Sequence, residues 1–168
     1  EQKITNYDDD TQLLWLMWIP DRESWLFHRF DADGNRNLVL LDYETRTETL
    51  IDTGDIDNRK PVLSPDGNQI AYTSLRDEIP NVFLFHLDNE TEHRFTNLFT
   101  GGEVYGWMAQ RDTLASEHLL IRASETKRRD QMYWVPRERT VYQPEISIPK
   151  SYSSWRSKQA PEWIPSQI

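Results

Sequence analysis

The chain has 168 residues, with 19 Lys and Arg, 28 Asp and Glu, no Cys and a formal net charge of −9. A chain of this length is expected to form one domain with its own core, and the lack of cysteine excludes a disulfide scaffold, a thiolate metal site and a cysteine nucleophile. The negative charge argues against nucleic acid as the main partner, because affinity there comes mostly from cations that neutralise phosphates.

The first predicted repeat, residues 13–53, follows an acidic N-terminal segment of residues 1–12. Short runs of aromatic and β-branched residues between Gly, Pro, Asn and Asp are typical of β-strands. After the segment Trp18-Ile19-Pro20-Asp21, this pattern predicts two strands and an edge-like segment, at residues 25–28, 37–41 and 44–50.

The second predicted repeat, residues 54–100, has the same order of elements. Its turn Ser64-Pro65-Asp66-Gly67 has a physical basis, because Pro presets φ at the second position and Gly supplies a positive φ at the fourth. Pro65 follows Pro20 by 45 residues, a spacing typical of propeller blades. Two strands and an edge-like segment are predicted at residues 70–73, 81–85 and 88–95. Residues 82–85 are apolar on both faces, as expected for a strand between two sheets.

A looser third repeat, residues 101–150, begins near Trp107, which is aligned with Trp18 as a blade-packing residue. Ala109 stands where the first two repeats have Pro. Its predicted strands are residues 118–122, 131–135 and 140–142. Residues 151–168 are interpreted as a linker and the start of a fourth repeat, because Trp163-Ile164-Pro165 repeats the segment that opens the first one.

These elements predict an all-β fold, since no segment sustains a 3.6-residue apolar period over about 11 positions. Four short strands per repeat, with antiparallel sheets stacked face to face, are typical of β-propeller blades. About three blades and the start of a fourth are too few to close a ring, because stacked repeats need neighbours on both sides. We therefore expect an incomplete ring that belongs to a larger chain, or that a partner or a second copy completes.

The second repeat carries a recognisable series of motifs. Leu63-Ser64-Pro65-Asp66-Gly67 is followed by an apolar-Ala-aromatic strand, by Ser-x-Arg-Asp at residues 74–77 and by Asn with an apolar strand at residues 81–85. This series resembles the TolB-like (WD-repeat-like) β-propeller family; residues 18–51 match less well, and residues 103–146 match mainly by position. The resemblance implies a rigid wheel that presents loops to protein partners, frequently in the cell envelope. Similar repeats also form the gating propeller of prolyl-oligopeptidase-like peptidases.

No catalytic constellation is evident in the sequence. There is no Gly-x-Ser-x-Gly elbow and no glycine-rich phosphate loop, and the four histidines lack ligand spacing. The segment of residues 31–37 looks like a calcium loop, but Leu40 would then replace the bidentate acid, so a hairpin turn is the better interpretation. We expect no enzyme activity, no cofactor and no metal ion; sugar or cation binding is a weaker alternative.

Two features are candidates for partner binding. Residues 121–168 carry nine Lys and Arg against five Asp and Glu, and three of these cations, Lys127, Arg128 and Arg129, are consecutive. They form either a solvated loop between strands or a binding region for an acidic surface or anionic head groups. Trp15, Trp134 and Trp155 are either core residues or aromatic anchors for a partner, and Trp155, in a polar stretch, is the first choice for an exposed anchor.

Two functions are compatible with these features. The first is a non-catalytic propeller scaffold that binds protein partners or further blades in the periplasm or cell envelope. The alternative is the propeller portion of a peptidase whose catalytic domain lies outside this chain. The longest apolar run, residues 13–19, is far shorter than a membrane helix requires, so membrane association is expected only through a partner. The missing cysteine suits cytoplasm and periplasm equally, and the resemblance favours the periplasm.

Overall fold

The computed structural model describes residues 3–7, 10–30, 34, 36–51, 57–76, 78–109, 117–126 and 129–138. This part of the chain contains eleven β-strands and one 3-10 helix, Pro20–Arg22. The strands are β1 (Gln12–Ile19), β2 (Ser24–Phe30), β3 (Arg36–Asp42), β4 (Glu48–Leu50), β5 (Asn58–Leu63), β6 (Gln69–Ser74), β7 (Asn81–His86), β8 (Thr91–Arg94), β9 (Gly102–Ala109), β10 (Glu117–Thr126) and β11 (Arg129–Pro136).

The strands form three antiparallel sheets in chain order. Sheet 1 contains β1–β4, sheet 2 contains β5–β8, and sheet 3 contains β9–β11 in the described part. The predicted all-β fold of propeller blades is confirmed, and in the described residues the blades do not close into a ring. The last strand predicted in the third repeat, residues 140–142, and the start of a fourth repeat, residues 151–168, lie outside the described residues.

Two hydrophobic clusters hold the three sheets together. The first joins sheets 1 and 2 and contains Ile19, Leu26, Leu38, Ile51, Ile70, Tyr72, Phe83, Phe85 and Leu87. The second joins sheets 2 and 3 and contains Ala71, Val82, Leu84, Phe95, Val104, Leu119, Ile121 and Val135. Sheet 2 therefore lies between two neighbours, and all of β6 and all of β7 except its last residue are buried. This confirms the interpretation of residues 82–85.

Sheets 2 and 3 are also hydrogen-bonded to each other through the first strand of sheet 3. Trp107 Nε1 in β9 donates to the carbonyl oxygen of Val62 in β5 at 3.1 Å. The backbone N–H of Val104 donates to Thr73 Oγ1 of sheet 2 at 3.1 Å. Since the blades of a propeller surround a central channel, we call β1, β5 and β9 the inner strands.

The predicted Ser-Pro-Asp-Gly turn is present between β5 and β6. Gly67 has φ +71°, and its N–H donates to the Ser64 carbonyl at 2.9 Å. Asp66 accepts hydrogen bonds from Ser64 Oγ at 2.6 Å and from the Asn68 N–H at 3.1 Å, and it pairs with Arg137 at 2.6 Å. Burial alone would raise the pKa of Asp66, but these donors outweigh it and lower the pKa to about 2. The turn thus also ties the end of sheet 3 to sheet 2.

The strand register places Trp18, Leu63 and Trp107 at equivalent positions near the ends of the inner strands, as the repeat alignment predicted. Leu63 packs into the cluster between sheets 1 and 2, and Trp107 packs into the cluster between sheets 2 and 3. Trp18 is instead 36% exposed and contacts Trp25 and Tyr43, with ring centroids 5.0 and 6.0 Å away. Trp107 therefore packs between two blades, as predicted. For Trp18 the blade-packing role stays a prediction, because no sheet in the described residues precedes sheet 1.

Candidate functional site

Each inner strand carries a β-bulge at the same level of the fold. In β1, Trp15 and the residue after it lie opposite one residue of β2, and in β5 Lys60 and the residue after it lie opposite one residue of β6. In β9, Tyr105 is the extra residue relative to β10. We call Trp15, Lys60 and Tyr105 the inner row. Bulges that recur in three neighbouring blades re-aim side chains at one surface, as bulges beside binding sites do.

The backbone at two of these bulges has an unfavourable conformation. Trp15 has φ +59° and Lys60 has φ +54°, in the left-handed region that favours glycine. Such residues cost about 1–3 kcal/mol each and persist only where the surrounding structure imposes them. The strain recurs 45 residues apart in sheets 1 and 2, which indicates that it belongs to the repeat.

The inner row and its neighbours present apolar side chains to solvent. Trp15 is 60% exposed, Leu16 57%, Leu14 47% and Tyr105 46%. Exposed aromatic residues supply large contact areas at low entropic cost, and Trp and Tyr are enriched among the residues that dominate binding energy at interfaces. The inner strands therefore form an apolar surface suited to a protein partner.

A group of charged side chains borders this surface. Glu103 accepts from Lys60 Nζ at 2.7 Å and from an Arg122 guanidinium nitrogen at 2.9 Å. Lys60 Nζ also lies 4.1 Å from the centre of the Tyr105 ring, a cation–π contact. Burial alone would raise the pKa of Glu103, but the hydrogen bond and charge of Lys60 and the charge of Arg122 lower it. Glu103 thus stays ionised and fixes Lys60 against Tyr105.

Sheet 3 has an apolar outer face. Met132 and Trp134 in β11 are 49% and 52% exposed. The register makes them equivalent to Val82 and Leu84 of sheet 2, which are buried against sheet 3. Since the same strand positions form an interface one blade earlier, the outer face of sheet 3 has the composition of a sheet-to-sheet interface.

The outer face of sheet 1 is contacted by the N-terminal segment. Tyr7 donates its hydroxyl to Glu48, which also accepts from Arg29 at 2.7 Å. Burial and the Glu48 carboxylate raise the pKa of Tyr7 to about 12. Trp18 and Trp25 lie on the same face, at the end where Trp18 is 36% exposed.

Exposed interface-like faces lead us to expect that the chain by itself associates with other copies in solution. Trp134→Glu is expected to weaken this association by about tenfold or more, because a carboxylate replaces a large apolar contact. Sedimentation velocity over a range of concentrations measures the effect. Phe99→Glu is the matched control, since Phe99 is 47% exposed and lies in a loop. Equal association of the Trp134 variant and the native chain would contradict the interface role of this face.

The sequence-predicted binding residues fall largely outside the described part of the chain. Arg129 is exposed at the first position of β11, in the hairpin between β10 and β11. Lys127, Arg128 and Trp155 lie outside the described residues, so their role stays a prediction. Of the inner row, Trp15 had been considered as a core residue or an aromatic anchor, while Lys60 and Tyr105 were missed.

The described residues show few other features that indicate a function. Within them, no three His, Cys, Asp or Glu side chains converge on a point that could hold a metal ion. No helix in this part is long and apolar enough to cross a membrane. The features that the described residues do present are rigid sheets, an exposed inner row and apolar outer faces.

No protein-family model matches the chain. A curated relative, the Tol-Pal system protein TolB of Pseudomonas fluorescens strain SBW25, is 36% identical over 75 residues, covering 41% of this chain and 16% of the relative. The solved TolB of Acinetobacter baumannii superposes with a TM-score of 0.58 and 18% identity, over 80% of this chain and 32% of that chain. A structure designated TolB from Agrobacterium tumefaciens has a TM-score of 0.50 and 18% identity, over 75% of this chain and 50% of that one. The chain therefore spans half or less of each of these relatives.

Proposed function

We propose that this chain, a member of the TolB-like β-propeller family, is a non-catalytic scaffold that binds a protein partner through its inner row. The observation that carries the proposal is the recurrence of the bulge in three neighbouring inner strands. A repeated departure from regular pairing, with strained backbone at Trp15 and Lys60, is retained where it positions side chains for contact.

The composition of the inner surface supports a protein ligand. Trp15 and Leu16 supply apolar area, while Tyr105 and Lys60 supply an aromatic ring and a cation held in a fixed place by Glu103. A rigid apolar centre with a charged border has the anatomy of a protein–protein interface. Short segments of a partner with apolar and acidic side chains would complement it.

The proposed setting is an envelope complex outside the cytoplasm. The curated relative is named as a protein of the Tol-Pal system, and we propose that the present chain acts in a complex of that kind. In this view the outer faces of sheets 1 and 3 contact further blades. Lys127, Arg128, Arg129 and Trp155 are retained in the proposal as candidates for a second contact region.

Site-specific photo-crosslinking tests the proposal. A photoreactive phenylalanine analogue is placed at Trp15 or at Tyr105 in the natural full-length protein, and crosslinked proteins are identified by mass spectrometry. The same partner is expected from both positions. With that partner purified, the double variant Trp15→Ser, Tyr105→Ser is expected to bind at least about tenfold more weakly, since exposed aromatic anchors dominate interface energetics.

Phe99 provides the matched control for both steps, because it is an exposed aromatic residue in the loop before β9 and is not part of the inner row. The analogue at Phe99 should not capture this partner, and Phe99→Ser should bind it with native affinity. Crosslinking that is equal at all three positions, or native affinity of the double variant, would refute the inner row as the binding surface.

A further inference from the structure

Two of the four histidines lie side by side on sheet 2. His86 is the last residue of β7 and His93 is in β8, and their ring centroids are 5.3 Å apart with the planes inclined by 31°. His93 is paired directly with Leu84, two residues before His86, so both imidazoles are on the same face of the sheet. Strand pairing brings them together, which the linear spacing does not indicate.

The separation of the rings fits shared coordination of one cation. Zinc binds imidazole nitrogen at about 2.0–2.1 Å with tetrahedral angles. Each ring centre lies roughly 1 Å beyond its nitrogen, so two imidazoles on one tetrahedral metal have centres about 5 Å apart. The observed 5.3 Å is in agreement with this value.

Gln69 contacts the His86 ring and is itself incompletely satisfied. It is 4% exposed and directly paired with His86, and its amide nitrogen lies 2.9 and 3.1 Å from the two ring nitrogens. Its Oε1 is buried, with no hydrogen-bond partner among the described residues. Exchange of the amide oxygen and nitrogen, which have the same shape, lets Oε1 accept the N–H of whichever ring nitrogen of His86 carries the proton. The other ring nitrogen is then unprotonated and can bind a metal ion, since a ligating histidine usually donates its second N–H to such an acceptor.

We propose that His86 and His93 bind a divalent transition-metal cation such as Zn²⁺, Ni²⁺ or Cu²⁺, with Gln69 as the positioning residue for His86. Imidazole suits these cations. His93 is exposed and gives the cation access. Two protein ligands leave the other coordination positions to water, so the site is open. The bound cation would crosslink β7 and β8 at the outer edge of sheet 2, because it is coordinated by one histidine from each strand.

Calorimetric titration of the untagged full chain with ZnCl₂ at neutral pH tests the proposal. One saturable site is expected, and His93→Gln should weaken binding by about tenfold or more because one of two ligands is lost. His118→Gln is the matched control: it removes a histidine that contacts Trp134 instead, and native affinity is expected. In NMR spectra, Ni²⁺ should broaden the ring signals of His86 and His93 before those of His28 and His118.

Other results would overturn the site. Absence of saturable heat up to about 1 mM Zn²⁺, or native affinity of His93→Gln, would show that the pair is a structural contact only. His93 is exposed, so its variant is expected to fold even where His86→Gln does not. The role of Gln69 has its own measurement: Gln69→Leu should change the tautomer of His86, seen in its ring ¹⁵N shifts, and unchanged shifts would exclude positioning by Gln69. The site is independent of the inner row, and neither test depends on the other.

Discussion

Asn81→Leu is expected to lower the free energy of unfolding by about 3 kcal/mol, because it leaves several buried polar groups without partners. Asn81 is 3% exposed at the start of β7. Its Oδ1 accepts from the Leu98 N–H at 2.8 Å and from Thr96 Oγ1 at 2.9 Å, and its Nδ2 donates to the carbonyls of Ile79 and Leu98 at 3.3 and 3.4 Å. One amide thus fixes the loop that leads from sheet 2 to sheet 3.

Leucine is chosen because its side chain branches at the same carbon as that of asparagine but carries no group that forms hydrogen bonds. Urea unfolding followed by tryptophan fluorescence measures the effect. Asn89→Leu is the matched control, since Asn89 accepts two hydrogen bonds from Thr91 in an exposed turn and its loss is expected to cost less than about 1 kcal/mol. Equal losses in the two variants would show that the interblade loop does not depend on Asn81.

The strands that sequence reasoning found are those whose chemistry is unambiguous. Residues 82–85 are apolar on both faces because sheet 2 is covered on both sides, and a short apolar run next to an Asn has few other interpretations. The repeated Asn also has a physical basis, since an amide that both donates and accepts can satisfy a loop on both sides. These local signals were sufficient for the fold class.

The inner strands were not named as strands, and the reason is physical. β5 contains Arg59, Lys60 and Pro61, and charges with a proline obscure the alternation that marks a strand. A bulge interrupts the period of two, so the apolar pattern changes face in the middle of the strand. A positive φ can be predicted from sequence where Gly or Asn occurs, because these residues adopt it readily. Trp15 and Lys60 give no such signal, since tertiary contacts impose their positive φ. The candidate site consists of these irregular positions, so it could not be predicted from local pattern.

The tryptophans illustrate how neighbours decide the environment of an equivalent residue. Trp18 and Trp107 were correctly aligned, yet Trp107 is half-buried and hydrogen-bonded to Val62, while Trp18 is on an outer face. A repeat specifies which face of a sheet is apolar. What covers that face is decided by the adjoining sheet, and this information lies outside the repeat itself.

Acidification is expected to destabilise the fold through a second buried residue, His28. His28 is 5% exposed in β2, and its Nε2 has no hydrogen-bond partner in the described part of the chain. Burial and the positive charge of Arg36 lower its pKa to about 4, against the opposing effect of the Asp57 carboxylate. Arg36 of sheet 1 pairs with Asp57, just before β5, at 3.3 Å, so the protonation of His28 would place a second cation beside the ion pair that links sheets 1 and 2.

The direction in which pH changes the free energy of unfolding follows from proton linkage. Between pH 6.5 and about 4 the unfolded chain binds a proton at His28 that the folded chain does not bind. The stability contributed by neutral His28 is therefore complete above pH 6.5 and is lost as the pH falls toward 4. From pH 7 to pH 5 the loss is about 2 kcal/mol. The pH interval from 6.5 to about 4 lies mostly above the pH at which Asp66 and Glu103 become protonated, because the pKa values of both carboxyl groups are lowered.

His28→Thr is the variant that the repeat itself provides, because Thr73 occupies the equivalent position in sheet 2 and accepts a hydrogen bond from Val104 of the following sheet. The variant is expected to lose about 2 kcal/mol less than the native chain between pH 7 and pH 5, in urea unfolding at matched ionic strength. His118→Gln, which alters a histidine outside this interface, should leave the native slope unchanged. If His28→Thr retains the native pH dependence, then the acid sensitivity arises elsewhere, and the junction of sheets 1 and 2 does not sense protons through this residue.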